Sequence, residues 1–158
     1  MADIVRSPAR DLRRANDGGK RIEYLAFTLG SQSYAVPIQH IAEILKPPPI
    51  TEIPRAPRNV VGIISVRGKL VTVVDLRRRF GLVESPFDRR TRILLTDTGD
   101  DEPIGLLVDE VRQVYRLAEH EIEPAAALGG DQPAYIFGIG RQDDALLVLL
   151  ELKALIES

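Results

Sequence analysis

From residue 23 onward the apolar positions fall into short runs separated by turn residues. Leu25, Phe27 and Leu29 alternate with the smaller Ala26 and Thr28, the period of two expected of a half-buried strand. Gly30-Ser31-Gln32-Ser33 predicts a turn, residues 34–36 a second strand and residues 41–45 a third extended piece. Residues 60–66 and 70–74 predict a hairpin around Arg67-Gly68-Lys69, with Gly68 supplying the positive φ of the turn. Asp75 is placed to cap a short helix over 76–80, and Gly81 to end it. Residues 46–57 hold five of the chain's 11 prolines. Proline has no backbone donor, so a stiff surface loop that cannot pair along its length is expected there.

After a polar link over 84–90 the order repeats. Strands are expected at 92–95 and 103–108 around a turn at 97–101, and an extended piece at 111–117. A polar, Ala/Gly-rich connection follows over 118–132, then a hairpin of 134–139 and 145–150 around 141–144, and a terminal helix over 151–157. The halves also match in spacing. Ile38, Ile41 and Ile44 recur as Val108, Val111 and Val114, again three and three apart. Gly62 precedes Leu76 by fourteen residues and Gly138 precedes Leu152 by fourteen; Val71, Val73 and Asp75 correspond to Leu147, Leu149 and Glu151. Two copies of one small all-β unit are expected, packed on a shared apolar seam because sheets of this size are marginal alone. The approximate subdomains are 22–83 and 90–158, with terminal elements open to exchange, and residues 1–21 are expected as a disordered basic tail.

Composition narrows the chemistry. The 158-residue chain has no cysteine and only two histidines, His40 and His120, which excludes disulfides, thiolate metal sites and a multi-histidine centre. Ser31, Ser33, Ser65 and Ser85 lie outside any Gly-x-Ser-x-Gly elbow, and there is no phosphate-binding glycine loop. The acidic turn Asp100-Asp101-Glu102 and the helix run Arg77-Arg78-Arg79 are read as solvated faces, and His40 as packed or on the surface. The net charge of −2 and the 5% aromatic content argue against nucleic-acid binding. That mean hides an asymmetry: residues 1–79 carry 14 Lys/Arg against 7 Asp/Glu, residues 80–158 carry 7 against 16. Two faces for two partners, or an uneven solvated surface, both fit this split. No apolar run approaches the roughly 18 residues of a membrane span, and no secretory signal pattern is present, so a cytoplasmic address is expected. With no catalytic constellation and no cofactor expected, a binding module is the reading.

Leu25-Ala26-Phe27-Thr28-Leu29-Gly30, followed by Tyr34-Ala35-Val36-Pro37-Ile38 and Ile41-Ala42-Glu43-Ile44, resembles the CheW family of bacterial chemotaxis coupling proteins. So do Val61-Gly62-Ile63-Ile64-Ser65-Val66-Arg67-Gly68, running into Val73-Val74-Asp75-Leu76-Arg77, and Gly105-Leu106-Leu107-Val108-Asp109-Glu110-Val111. The resemblance covers residues 22–156. It implies two packed five-stranded barrels of the Src-homology type with short helical turns and a C-terminal helix. It also implies a non-catalytic adaptor between the cytoplasmic tip of a chemoreceptor, a helical hairpin, and the regulatory domain of a CheA-type histidine kinase, without membrane insertion. Ile38, Ile41, Glu43, Gly62 and Arg67 match the family's receptor-side residues, and Val108 and Val111 would line the groove from the other barrel. For kinase contact the candidates are Ile122, Glu123 and Leu128. Thr72 stands where many members have proline. The competing readings are a CheW-like protein that binds receptors but not the kinase, and a small-barrel nucleic-acid binder.

Overall fold

Eleven strands and two short helices account for most of the residues that the structure, a computed structural model, describes: 20–99 and 102–157. The strands are β1 (Arg21–Leu29), β2 (Gln32–Pro37), β3 (Ile41–Leu45), β4 (Val60–Val66), β5 (Lys69–Asp75), β6 (Arg92–Thr96), β7 (Ile104–Val108), β8 (Glu110–Ala118), β9 (Ile122–Pro124), β10 (Ile136–Gln142) and β11 (Ala145–Leu150). The helices are α1 (Leu76–Arg79) and α2 (Leu152–Glu157). The tail expected over 1–21 lies outside the described residues except at its end, as does part of the turn at 97–101. Strand β1 begins at Arg21, two residues before the expected onset of order, and the Arg21 guanidinium meets the Glu121 carboxylate at 3.1 Å.

The fold is all-β, in two packed sheets. One runs β3-β6-β7-β5-β4 and the other β8-β1-β2-β11-β10-β9. Each sheet takes strands from both halves of the chain. The opening hairpin β1–β2 joins the strands of the second half, and β6–β7 joins those of the first. The exchange is symmetric: β5 pairs β7 in parallel and β11 pairs β2 in parallel.

The internal repeat extends to backbone detail. Asp75 N–H donates to Asn59 O at 2.8 Å, and Glu151 N–H to Tyr135 O at 2.7 Å. Strand β4 carries a bulge between Val60 and Gly62, and β10 carries one between Ile136 and Gly138. The glycines after these bulges admit a close approach of backbone. A Cβ on Gly62 would lie 2.3 Å from Thr51 O, and one on Gly138 would lie 2.3 Å from Glu123 O. The copies differ in what approaches. Residues 122–124 form the strand β9, a correction to the plain connection expected over 118–132. The proline-rich 46–57 makes only an isolated bridge, Thr51 to Ile63. The first copy's sheet therefore has five strands where the second's has six.

Three apolar clusters lie in layers across the two sheets. Leu25, Phe27, Leu29, Leu94, Leu106 and Val108 form the shared seam with Leu76 of α1 and Leu152 and Leu155 of α2. The alternate residues point the other way: Tyr24 and Ala26 into one outer cluster, Ile93, Leu95 and Leu107 into the other. Strands buried on both faces in this way read as nearly continuous apolar runs. Asp75 caps α1 by accepting from Arg77 N–H at 2.9 Å, and Gly81 follows with a φ of 71°.

Candidate functional site

The interval of three between Ile41 and Ile44, and between Val111 and Val114, comes from how each strand pairs with its neighbour. Three suits neither an ideal strand nor an ideal helix. In β3, Ile41 pairs Thr96 and Ile44 pairs Leu94, so three steps along β3 match two along β6. In β8, Val111 pairs Phe27 and Val114 pairs Leu25, again three against two. A bulge in each strand absorbs the extra residue and returns the two side chains to one face. β3 and β8 each lie at one edge of their sheet.

The stripe is graded in exposure. Val108 is fully buried in the seam and supports it from beneath, with no surface of its own to line a groove. Ile38, in the 3-10 turn Ile38–His40, and Ile41 and Val111 are half-buried against the same cluster. Ile44 and Val114 are 44% and 40% exposed. Neither is among the residues that the family resemblance matches to the receptor side, although the three-and-three repeat contains both.

Glu43 lies between Ile41 and Ile44 on β3. Arg67 at the tip of the β4–β5 hairpin donates to it through both terminal nitrogens, at 2.6 and 3.3 Å. A bidentate guanidinium–carboxylate contact fixes orientation as well as proximity. The hydrogen bond from Arg67 holds the Glu43 carboxyl below its ordinary range, and the same bond raises Arg67. Arg67 adopts a φ of 48°, the strained left-handed region, followed by Gly68 at 83°. Its counterpart Asp143 adopts 53°. Arg67, matched above to the family's receptor-side residues, thus already holds a carboxylate of its own chain. Gly62 is buried beneath the Thr51 backbone and the Ile50 side chain, where it admits their close approach.

The kinase-side candidates separate. Ile122 packs against the core of the six-stranded sheet, and Glu123 pairs with Ile139 in β9. Leu128, in the 3-10 turn Ala125–Leu128, is the one of the three with an exposed apolar side chain. The helix run 77–79 is not a solvated face. Arg77 is 4% exposed. Arg78 reaches Glu84 at 3.1 Å, and the Arg79 guanidinium lies 4.7 Å above the Tyr135 ring centre. Burial of Arg77 carries no sequence signal, because the nearer of its two acidic partners, Asp109, lies 32 positions away.

A family model described as CheW-like domain matches residues 23–158. The chemotaxis protein CheW of Helicobacter pylori is 28% identical over 91% of this chain and 87% of its own. That of Bacillus subtilis is 30% identical over 84% and 85%. Among solved structures, the scaffolding protein CheW of Thermoanaerobacter tengcongensis superimposes with a TM-score of 0.79 at 32% identity, covering 87% of this chain and 94% of that one.

Proposed function

The chain belongs to the CheW-like family, and on that premise we propose that it is a non-catalytic adaptor joining the cytoplasmic tip of a chemoreceptor to a CheA-type histidine kinase. The receptor tip, a helical hairpin, lays one apolar face on the stripe of Ile38, Ile41, Ile44, Val111 and Val114. Such a face presents anchors at helical spacing to an apolar groove, and rim charges set its register. The Glu43–Arg67 pair is that rim. The observation that carries this reading is the matched pair of bulges, which turns two isoleucines and two valines onto the same side of two edge strands. Without an occupant, Ile44 and Val114 would be exposed at a cost that alternation on a regular strand avoids. The kinase regulatory domain binds elsewhere, with Leu128 as the residue available to meet it. No helix among the described residues is long and apolar enough to cross a membrane, and the adaptor reaches receptor arrays by binding them from the cytoplasm.

The test is a pair of titrations of the full chain, against a receptor-tip hairpin and against a CheA regulatory domain. Binding to both is expected, with Ile44→Asp removing only the first. Receptor binding alone would sink the coupling role, and binding to neither would sink the proposal.

A further inference from the structure

Asp109 is the single residue between β7, in the five-stranded sheet, and β8, in the six-stranded sheet. It is held from both sides. On the six-stranded side its N–H donates to Thr28 O at 3.1 Å, and its Oδ2 accepts from Gly30 N–H at 2.7 Å. On the other side its Oδ1 lies 3.2 Å from Nε of Arg77, which follows β5 in α1. Arg77 is buried, also faces Asp75 Oδ1 at 3.6 Å, and donates through Nη1 to the Ser85 carbonyl at 2.9 Å and to the Ser85 hydroxyl. Its buried Nε makes no hydrogen bond, so the contact with Asp109 is a charge pair without a directional bond. Val111 and Val114 start two and five residues beyond this clamp on β8, while Ile41 and Ile44 lie on the sheet to which α1 belongs.

We propose that Arg77 and Asp109 are positioning residues: their ion pair at the crossover sets the β8 edge against the β3 edge and so the width of the apolar stripe that takes the receptor helices. Neither residue touches the partner. This inference rests on the receptor-binding reading above. A charge pair is suited to the role because it is strong where solvent is scarce yet tolerant of angle. The clamp is completed by an aromatic ladder, Tyr34 to Phe80 and Phe80 to Tyr135, each at 5.2 Å between ring centres, which seats the end of α1 on the six-stranded sheet.

The test exploits the absence of cysteine. Leu70→Cys and Leu146→Cys, at positions 73% and 53% exposed on different sheets and away from the stripe, take a pair of spin labels on the full chain. Inter-label distances and affinity for a receptor-tip hairpin are measured with and without Asp109→Asn, which keeps an acceptor for Gly30 but removes the charge. The expected result is a broadened distance distribution and roughly tenfold weaker binding, the scale of coupling between groups in contact. Should Asp109→Asn fail to fold, Arg77→Gln, which removes the positive charge while keeping a donor for Ser85, carries the same measurement. An unchanged distribution overturns the inference. So does a broadened distribution with unchanged affinity, while leaving receptor binding standing. If the parent chain does not bind the hairpin, the receptor reading fails, and with it the proposed positioning role.

Discussion

Glu43 and Arg67 stand at opposite edges of the five-stranded sheet and nevertheless meet at 2.6 Å. Glu43 is on β3, the first strand of the order, and Arg67 is at the turn that ends β4, the last. The sheet therefore curls until its edges approach, as the barrel expectation requires. In the other sheet, Gln142 Nε2 of β10 donates across to Arg116 O of the edge strand β8 at 2.8 Å.

This pairing predicts the titration of Glu43. Its folded carboxyl is held below the ordinary 4.5, so the pair is fully present above that value and is lost only as pH falls through the lowered one. A carbon NMR titration of the Glu43 carboxyl should show a midpoint below 4.5 in the parent chain and a rise toward it in Arg67→Ala. The same midpoint in both chains would remove the pair as the cause. The pair is exposed, so Arg67→Ala should leave the melting temperature little changed.

The cavity-free approach of Gly62 to Thr51 predicts a different response. Gly62→Ala places a methyl into a carbonyl oxygen, as Gly138→Ala does at Glu123. Each should lose about 1–3 kcal/mol in urea unfolding, the usual penalty of overpacking. If Gly62→Ala unfolded at the parent's midpoint, the tight approach would be wrong.

Arg77 and Arg67 should behave oppositely. Arg77→Ala leaves the buried Asp75 only the more distant Arg78 at 3.8 Å and a backbone N–H, takes from Asp109 the cation beside it, and should cost about 3–5 kcal/mol by chemical denaturation. Asp75 is 2% exposed, so water cannot take over. A loss below about 1 kcal/mol would show that the buried pair contributes little net stability.

Position along the stripe separates folding from binding. Ile41→Asp puts a charge against the shared seam and should cost at least about 2 kcal/mol of stability as well as receptor affinity. Ile44→Asp and Val114→Asp alter exposed side chains and should fold within about 0.5 kcal/mol of the parent. Both should still weaken receptor binding by about 2 kcal/mol or more, as central interface anchors do. Circular dichroism melts beside calorimetric titrations check each pair of values.

Strands, hairpins and the capped helix were legible because each is set by neighbours in sequence: alternation at Leu25, Phe27 and Leu29, the turn glycine at Gly68, the cap at Asp75. The repeat was legible too, and it contained the stripe. That its ends at Ile44 and Val114 are exposed is not legible, because a bulge is a property of two paired strands, visible only once β3 lies beside β6 and β8 beside β1. The exchange of hairpins between the sheets has the same origin, since β5 and β7 are joined by nothing local. The burial of Arg77 is hidden for the same reason: three arginines in a row look solvated until Asp109 arrives from the other half. The strand β9 was hidden by its length of three residues.

The most direct measurement is a methyl NMR titration of the full chain, labelled at isoleucine and valine, with a receptor-tip helical hairpin. Signals of Ile38, Ile41, Ile44, Val111 and Val114 should shift together and saturate at one stoichiometry, while Ile64 and Ile139, in strands away from the stripe, stay in place. Shifts confined to residues outside the stripe, with Ile44 and Val114 unmoved at saturation, would contradict the proposed receptor site.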